Sequence, residues 1–204
     1  MSRYDAILFD FDGVLADTEP VHFASWAEAL QPLGIRITWE MFEKYCIGIP
    51  DRQVAEFFRK LVDPPLDYAA VWAQKPLKRR LFLTKVKQKP PFSDHVIEFV
   101  KSLADYKLAV VSASSRVELE PALEAAGILG CFGAVIGTED VERTKPAPDP
   151  YLRAIELLGV RRGLAVEDSE AGIASATAAG LDVLRIQDPS QTVSLVEARL
   201  RSRL

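Results

Sequence analysis

An apolar run near the chain start, Ile7-Leu8-Phe9, ends in two aspartates one residue apart, Asp10 and Asp12, with Gly13-Val14-Leu15 directly after. An apolar run bounded by a turn signal predicts a buried strand. Open α/β sheets bind their ligands at the carboxyl ends of such strands, where both acids fall. Aspartate also forms turns, and that plainer reading stands beside the other. Two like charges at the end of a buried strand are costly unless a cation or a shared proton relieves them. That cost points to a metal site.

Beyond the two acids the chain turns helical. Phe23, Ala27 and Leu30 recur at helical spacing beside Trp26, and Gly34 closes the segment. The pattern predicts further helices over 41–45, 54–61 and 68–86, with a break at Pro64-Pro65 and an end or kink at Pro76. Pro90-Pro91 then punctuates the chain and its character changes. From Ser93 onward helices alternate with short apolar runs: Leu108–Ser112, Ala134–Ile136, Leu164–Val166 and Val183–Ile186. Ser115 with Glu118 predicts a capping box for a helix ending near Gly127. Asp149-Pro150 predicts an N-cap followed by proline at N1, opening a helix to Gly159. Helices are also expected over 94–104, 169–180 and 190–201. Such alternation means a parallel sheet covered on both faces. The fold expected is therefore α/β, with at least five parallel strands, the first of them Ile7–Phe9. Residues 1–16 and 90–204 would form this core, and 17–89 an inserted helical domain.

At 204 residues the chain has room for one domain or one carrying a sizeable insertion. Being 49% hydrophobic and 26% charged, it matches a globular protein with a real core. A net charge of −4 argues against a nucleic-acid partner, because phosphate contacts call for a basic surface. The first apolar run is short and holds two acids, so neither a signal peptide nor a membrane span is expected. Cys46 and Cys131 belong to no CxxC pattern, and the default is two buried thiols in a reducing cytoplasm.

Four polar clusters come after strands or strand-like runs: Asp10/Asp12, Ser112-Ala113-Ser114, Lys145 and Glu167-Asp168. In a parallel sheet those ends share one edge. Carboxylates suit Mg²⁺, which takes oxygen ligands and shares substrate phosphate. Lysine offers phosphate a compact charge, and Ser112 with the amides after it can donate to phosphate oxygens near a helix N-terminus. Taken singly, Ser115 reads as a helix cap, Lys145 as a loop lysine and Glu167-Asp168 as helix N-terminal decoration. Their order along the chain makes coincidence the weaker account.

Asp10-Phe11-Asp12-Gly13-Val14, Ser112, Lys145-Pro146-Ala147-Pro148-Asp149 and Glu167-Asp168-Ser169-Glu170-Ala171-Gly172 resemble the four ordered motifs of the haloacid dehalogenase superfamily. The likeness is to its β-phosphoglucomutase and phosphoglycolate phosphatase branch, and it covers nearly the whole length. It implies a Rossmannoid core with an inserted α-helical cap. It also implies a Mg²⁺-dependent phosphatase acting on a small phosphate ester, such as a sugar phosphate or a phosphoglycolate-like acid. Asp10 would be the nucleophile that becomes an aspartyl phosphate, and Asp12 the general acid and then base. Asp10, the Asp12 backbone carbonyl and Asp168 would hold Mg²⁺, with Glu167 contributing directly or through water. Mg²⁺ and Lys145 would cancel the repulsion between two anions. Ser112 would join Asp10, Asp12 and Lys145 as a catalytic residue, and Gly13, Ala113, Ser114 and Arg116 would bind substrate. The superfamily's dehalogenases lack the second aspartate, so Asp12 argues for phosphoryl transfer.

The resemblance further implies that the cap closes over the site and chooses the substrate. His22 matches a histidine of the mutase, although a lone helix histidine is more often structural. Gly48 matches a loop glycine, and Arg52 stands where it would meet a distal anionic group. Where the mutase has a lysine before that glycine and an arginine after it, this chain has Ile47 and Asp51. Ser115 and Arg116 replace the mutase's lysine and asparagine. Loss of these groups favours hydrolysis; a phosphomutase is the runner-up, with Arg52 or Arg116 compensating, and a non-catalytic binding module comes last. The run Lys75, Lys78, Arg79, Arg80, Lys85, Lys87 and Lys89 reads as a solvated helix face, with attraction of anionic substrates as the other use. The expected state is a monomer or weak homodimer in the cytoplasm.

Overall fold

The computed structural model describes residues 4–49 and 51–202. Five strands, β1 (Ala6–Phe9), β2 (Lys107–Val111), β3 (Ala134–Ile136), β4 (Gly163–Glu167) and β5 (Asp182–Arg185), form one sheet in the order β3-β2-β1-β4-β5. Every neighbouring pair is parallel. The helices, in chain order, are α1 (Glu19–Leu30), α2 (Trp39–Tyr45), α3 (Asp51–Phe58), α4 (Tyr68–Trp72), α5 (Lys75–Gln88), α6 (Asp94–Ser102), α7 (Arg116–Ala125), α8 (Asp149–Leu158), α9 (Glu170–Ala178) and α10 (Thr192–Arg201). The chain divides into two compact units, Met1–Asp17 with Pro90–Leu204, and Thr18–Lys89.

In the α/β unit, alternate residues of each strand face opposite layers. Ala6, Leu8, Ala109, Val111 and Ala165 join Tyr151, Ala154 and Leu158 of α8 and Ala176 of α9 in one buried cluster. Their strand neighbours Ile7, Phe9, Val110, Leu164 and Val166 are equally buried, as are Phe99 and Val100 of α6 and Val193 and Val196 of α10. Burial on both faces is what makes these strands read as continuous apolar runs. The helical unit has its own core of Trp26, Leu30, Ile35, Phe42, Val54, Ala55, Phe58 and Val71. In it α1 packs on α5, and Lys85 Nζ meets Glu28 Oε2 at 2.8 Å. Among the described residues no helix is long and apolar enough to cross a membrane. Cys46 and Cys131 are both free thiols.

Local chemistry departs from the sequence pattern in four places. The expected helix over 68–86 is two helices: Pro76 lies in the first turn of α5 rather than kinking a longer one, where its missing N–H costs nothing. Ser115 does occupy the N-cap of α7, but its hydroxyl donates to Glu139 Oε1 at 2.9 Å and forms no capping box. Asp149 lies inside the first turn of α8, with Pro148 at the N-cap, and its carboxylate accepts from Arg143 Nε at 3.1 Å. Finally, Lys78 does not belong to a solvated face. It is 2% exposed, with its ammonium 5.4 Å from the centre of the Phe82 ring.

Candidate active site

From β1 the chain proceeds outward through β2 to β3, then crosses to β4 on the other flank of β1. The reversal lies between β1 and β4, and the crevice beyond the strand ends at such a point is where open α/β sheets take ligands. Asp10 comes directly after β1; Glu167 ends β4 and Asp168 is next to it. Phe9 is in register with Val166, and the Asp10 N–H donates to the Val166 carbonyl at 2.9 Å, so the two acid-bearing ends are level. One carboxylate oxygen from each of Asp10, Glu167 and Asp168 lies within 4.8 Å of the others.

Lys145 arrives from the loop between β3 and α8. Its Nζ donates to Asp10 Oδ1 at 2.9 Å, to the Val111 carbonyl at 2.8 Å and to Glu167 Oε1. An ammonium has three hydrogens, so all are committed and the charge is fixed in place. Glu167 is fully buried. Its Oε1 also accepts from the Tyr151 hydroxyl at 2.7 Å, and its Oε2 from Ser169 Oγ at 3.2 Å.

Two glycines make room for this cluster. Gly13 has φ +75°, and a Cβ there would collide with Asp168 Oδ2. A Cβ on Gly172 would collide with the Glu167 carboxylate.

Burial does most to push the Asp10 carboxyl up, to about 8; Lys145 opposes the rise, while Glu167 and Asp12 add to it. Burial and then Glu167 also raise Asp168. Burial works against the charge on Lys145, but Asp10 and Glu167 outweigh it and hold the ammonium above its ordinary value. One ammonium thus faces a surplus of carboxylate in a buried place, and the all-oxygen donor set suits a hard divalent cation. The residues present fit a metal ion.

The Asp12 carboxylate is engaged elsewhere: Ser114 Oγ donates to its Oδ2 at 2.9 Å. The buried Ser112 hydroxyl accepts from the Ser114 N–H at 3.0 Å, which shapes the turn after β2. Arg116 is spent on ion pairs, its Nε donating to Glu120 Oε1 and its Nη1 to Asp140 Oδ1, both at 3.0 Å. The structure therefore brings together Asp10, Asp12, Gly13, Ser112, Ser114, Lys145, Glu167 and Asp168, all expected from the sequence, with Ala113 in the same turn. Arg116 it places at the start of α7, partly exposed and ion-paired with Glu120 and Asp140.

His22, Gly48 and Arg52 belong to the helical unit. His22 stacks on Phe82 at 4.4 Å, and the Arg52 guanidinium lies 5.6 Å from the centre of the Trp72 ring. Gly48 has φ +72° with open space about its Cα. Lys75 pairs with Asp51 at 3.2 Å. Burial alone would raise the Asp51 carboxyl, yet Lys78 and Lys75 bring it below its ordinary value.

From the sequence, Gly172 stands only as the last residue of the fourth motif, with no role of its own, and Tyr151 is not singled out. A glycine inside a helix costs about 1 kcal/mol relative to alanine, so Gly172, three residues after Ser169, was a signal of close approach. Tyr151 left no such trace, because a buried aromatic at helical spacing is ordinary core.

A family model described as haloacid dehalogenase-like hydrolase matches residues 7–186. The fructose-1-phosphate phosphatase YqaB of Escherichia coli is 31% identical over 189 residues, 91% of this chain and 97% of that protein. A phosphorylated carbohydrates phosphatase of Thermotoga maritima is 28% identical over 182 residues, 87% of this chain and 82% of that one. Among solved structures, CbbY of Rhodobacter sphaeroides in complex with phosphate superposes with a TM-score of 0.72 at 26% identity, covering 88% of this chain and 84% of that one.

Proposed function

The chain belongs to the haloacid dehalogenase-like hydrolase family as a phosphatase, and on that footing we propose that it hydrolyses a small phosphate monoester, a sugar phosphate or phosphoglycolate-like acid, with Mg²⁺. The single observation that carries this reading is the Lys145 ammonium held between Asp10 and Glu167, beside Asp168. An aspartate so placed is a nucleophile whose negative charge is partly offset before an anionic phosphate arrives.

A carboxylate oxygen of Asp10 attacks phosphorus, and the ester P–O bond breaks. The departing oxygen takes a proton from Asp12, which Ser114 Oγ holds in place. In the second half, Asp12 takes a proton from water as that water attacks the phosphorus, and the bond to Asp10 breaks, releasing phosphate. With its hydrogens committed, Lys145 acts as a fixed charge, while the Ser112 hydroxyl and the amide of Ala113 orient the phosphate oxygens. Asp10, the Asp12 main-chain carbonyl, Glu167 and Asp168 would hold Mg²⁺, which supplies charge neutralisation for the transferred phosphoryl group.

Within the same proposal, residues 1–16 and 90–204 carry the chemistry. The helical insertion, 17–89, acts as the cap, choosing substrates through His22, Gly48 and Arg52. The enzyme would work in the cytoplasm as a monomer or weak homodimer. Hydrolysis is preferred to phosphomutase action because Arg116, one of two candidates for a second phosphate, is held by Glu120 and Asp140.

A turnover screen over phosphorylated metabolites tests the reading, with Mg²⁺ or chelator, alongside Asp10→Asn. Release of inorganic phosphate that needs the metal and disappears in the variant is the expected result. Full activity in Asp10→Asn, or turnover without divalent metal, would refute it. Isomerised sugar phosphate dependent on a bisphosphate primer would replace it with the mutase.

A further inference from the structure

We propose that Tyr151 is a positioning residue for the active site, seating both members of the Lys145–Glu167 pair. The inference rests on the phosphatase reading for its meaning, but on geometry for its content. Tyr151 lies in the first turn of α8, only a few residues beyond Lys145, and is fully buried within the apolar cluster beneath the sheet. A buried tyrosine hydroxyl needs a partner, and this one donates to Glu167 Oε1 at 2.7 Å. The face of the same ring lies under the lysine, with Lys145 Nζ 5.3 Å from its centre, within reach of a cation–π attraction. One rigid side chain with two rotatable bonds therefore touches the anion and the cation of the pair at once.

Glu167 has little freedom to move. Lys145 and Tyr151 share Oε1, Ser169 holds Oε2, and the bare Cα of Gly172 closes the remaining side. Without the tyrosine hydroxyl, Oε1 keeps the ammonium as its one strong donor. The carboxylate can then turn, and the lysine is drawn towards Glu167 at the expense of Asp10. Groups that orient the residues around a metal commonly change affinity or activity by about 10- to 100-fold when removed.

Tyr151→Phe isolates the hydroxyl, since it keeps the ring beneath the lysine and the shape of the core. The measurements are Mg²⁺ affinity by titration calorimetry without substrate, kcat and KM on an active substrate, and the melting temperature without metal. The expected result is about tenfold weaker Mg²⁺ binding and about tenfold lower kcat, with KM within about twofold and the fold intact. A Mg²⁺ affinity and kcat both within about twofold of the parent would overturn the proposal, since a filler of the core would leave both unmoved.

Gly172→Ala approaches the same carboxylate from the opposite side and decides the matter if Tyr151→Phe folds poorly. It is expected to weaken Mg²⁺ binding in the same direction, and an unchanged affinity would count against the proposal. Because the metal titration needs no turnover, a chain with no phosphatase activity would sink the proposed function while leaving this test standing.

Discussion

Lys145 Nζ stands 2.9 Å from Asp10 Oδ1, although 135 residues of chain separate them. Neither position is a strand residue: Asp10 comes directly after β1, Lys145 lies in the loop between β3 and α8, and the crossing from β3 to β4 around β1 is what lets them meet. The lysine side chain is 5% exposed and that of Glu167 0%, so the pair has little water to fall back on.

Lys145→Ala is therefore expected to remove activity and stability together. Breaking a buried ion pair on one side leaves an uncompensated charge and costs about 3–5 kcal/mol. Loss of the fixed charge should lower kcat by about 100-fold or more. Urea unfolding and phosphate release read the two effects separately. Retention of parental kcat would show that the lysine plays no part in the chemistry.

Metal and pH should act on the same carboxylates. The fold holds Asp10 protonated beyond its ordinary range. The stability this acid contributes is thus complete below the unfolded value of 3.8 and is lost as pH climbs to about 8. Asp168 shifts in the same direction. In chelator, the melting temperature should be lower at pH 8 than at pH 5.5, by about 3 °C or more. Mg²⁺ binds the ionised form, so its stabilising effect should be larger at pH 8. A Mg²⁺ effect that shrinks as pH rises contradicts the assignment of this cluster as the metal site.

Gly13→Ala confronts two constraints at once. A residue with φ +75° is strained when it carries a Cβ, by about 1 kcal/mol or more. The added carbon also meets Asp168 Oδ2. The carboxylate is the movable partner, so binding should suffer more than folding: about tenfold weaker Mg²⁺ affinity by calorimetry against a modest shift in urea midpoint. Unchanged affinity would mean that Asp168 is not a ligand.

Thr192→Val probes the support beneath the Asp12 turn. The buried Thr192 hydroxyl donates to the Val14 carbonyl at 3.0 Å, joining the start of α10 to the loop that carries Asp12. Removing the donor leaves a buried carbonyl with one partner fewer, at about 1–2 kcal/mol. Denaturant melts should show that loss, with a smaller drop in kcat. A variant as stable as the parent would show that water replaces the hydroxyl.

The pattern of residues alone determined the α/β class, the five parallel strands, the long helical insertion and the acids at the strand ends. All of these come from local rules: period, turn chemistry, and the cost of crowding like charges beside a buried strand. Tertiary structure decided the rest. Lys78 reads as one more cation on a basic face and is buried, and Arg116 reads as a phosphate ligand and is held by Glu120 and Asp140. Tyr151 reads as core and hydrogen-bonds Glu167 beside Asp10. For Tyr151, and for the Asp140 partner of Arg116, the group met lies on another segment. Periodicity reports which way a side chain points from its own helix or strand, but sheet order and register decide what stands opposite it.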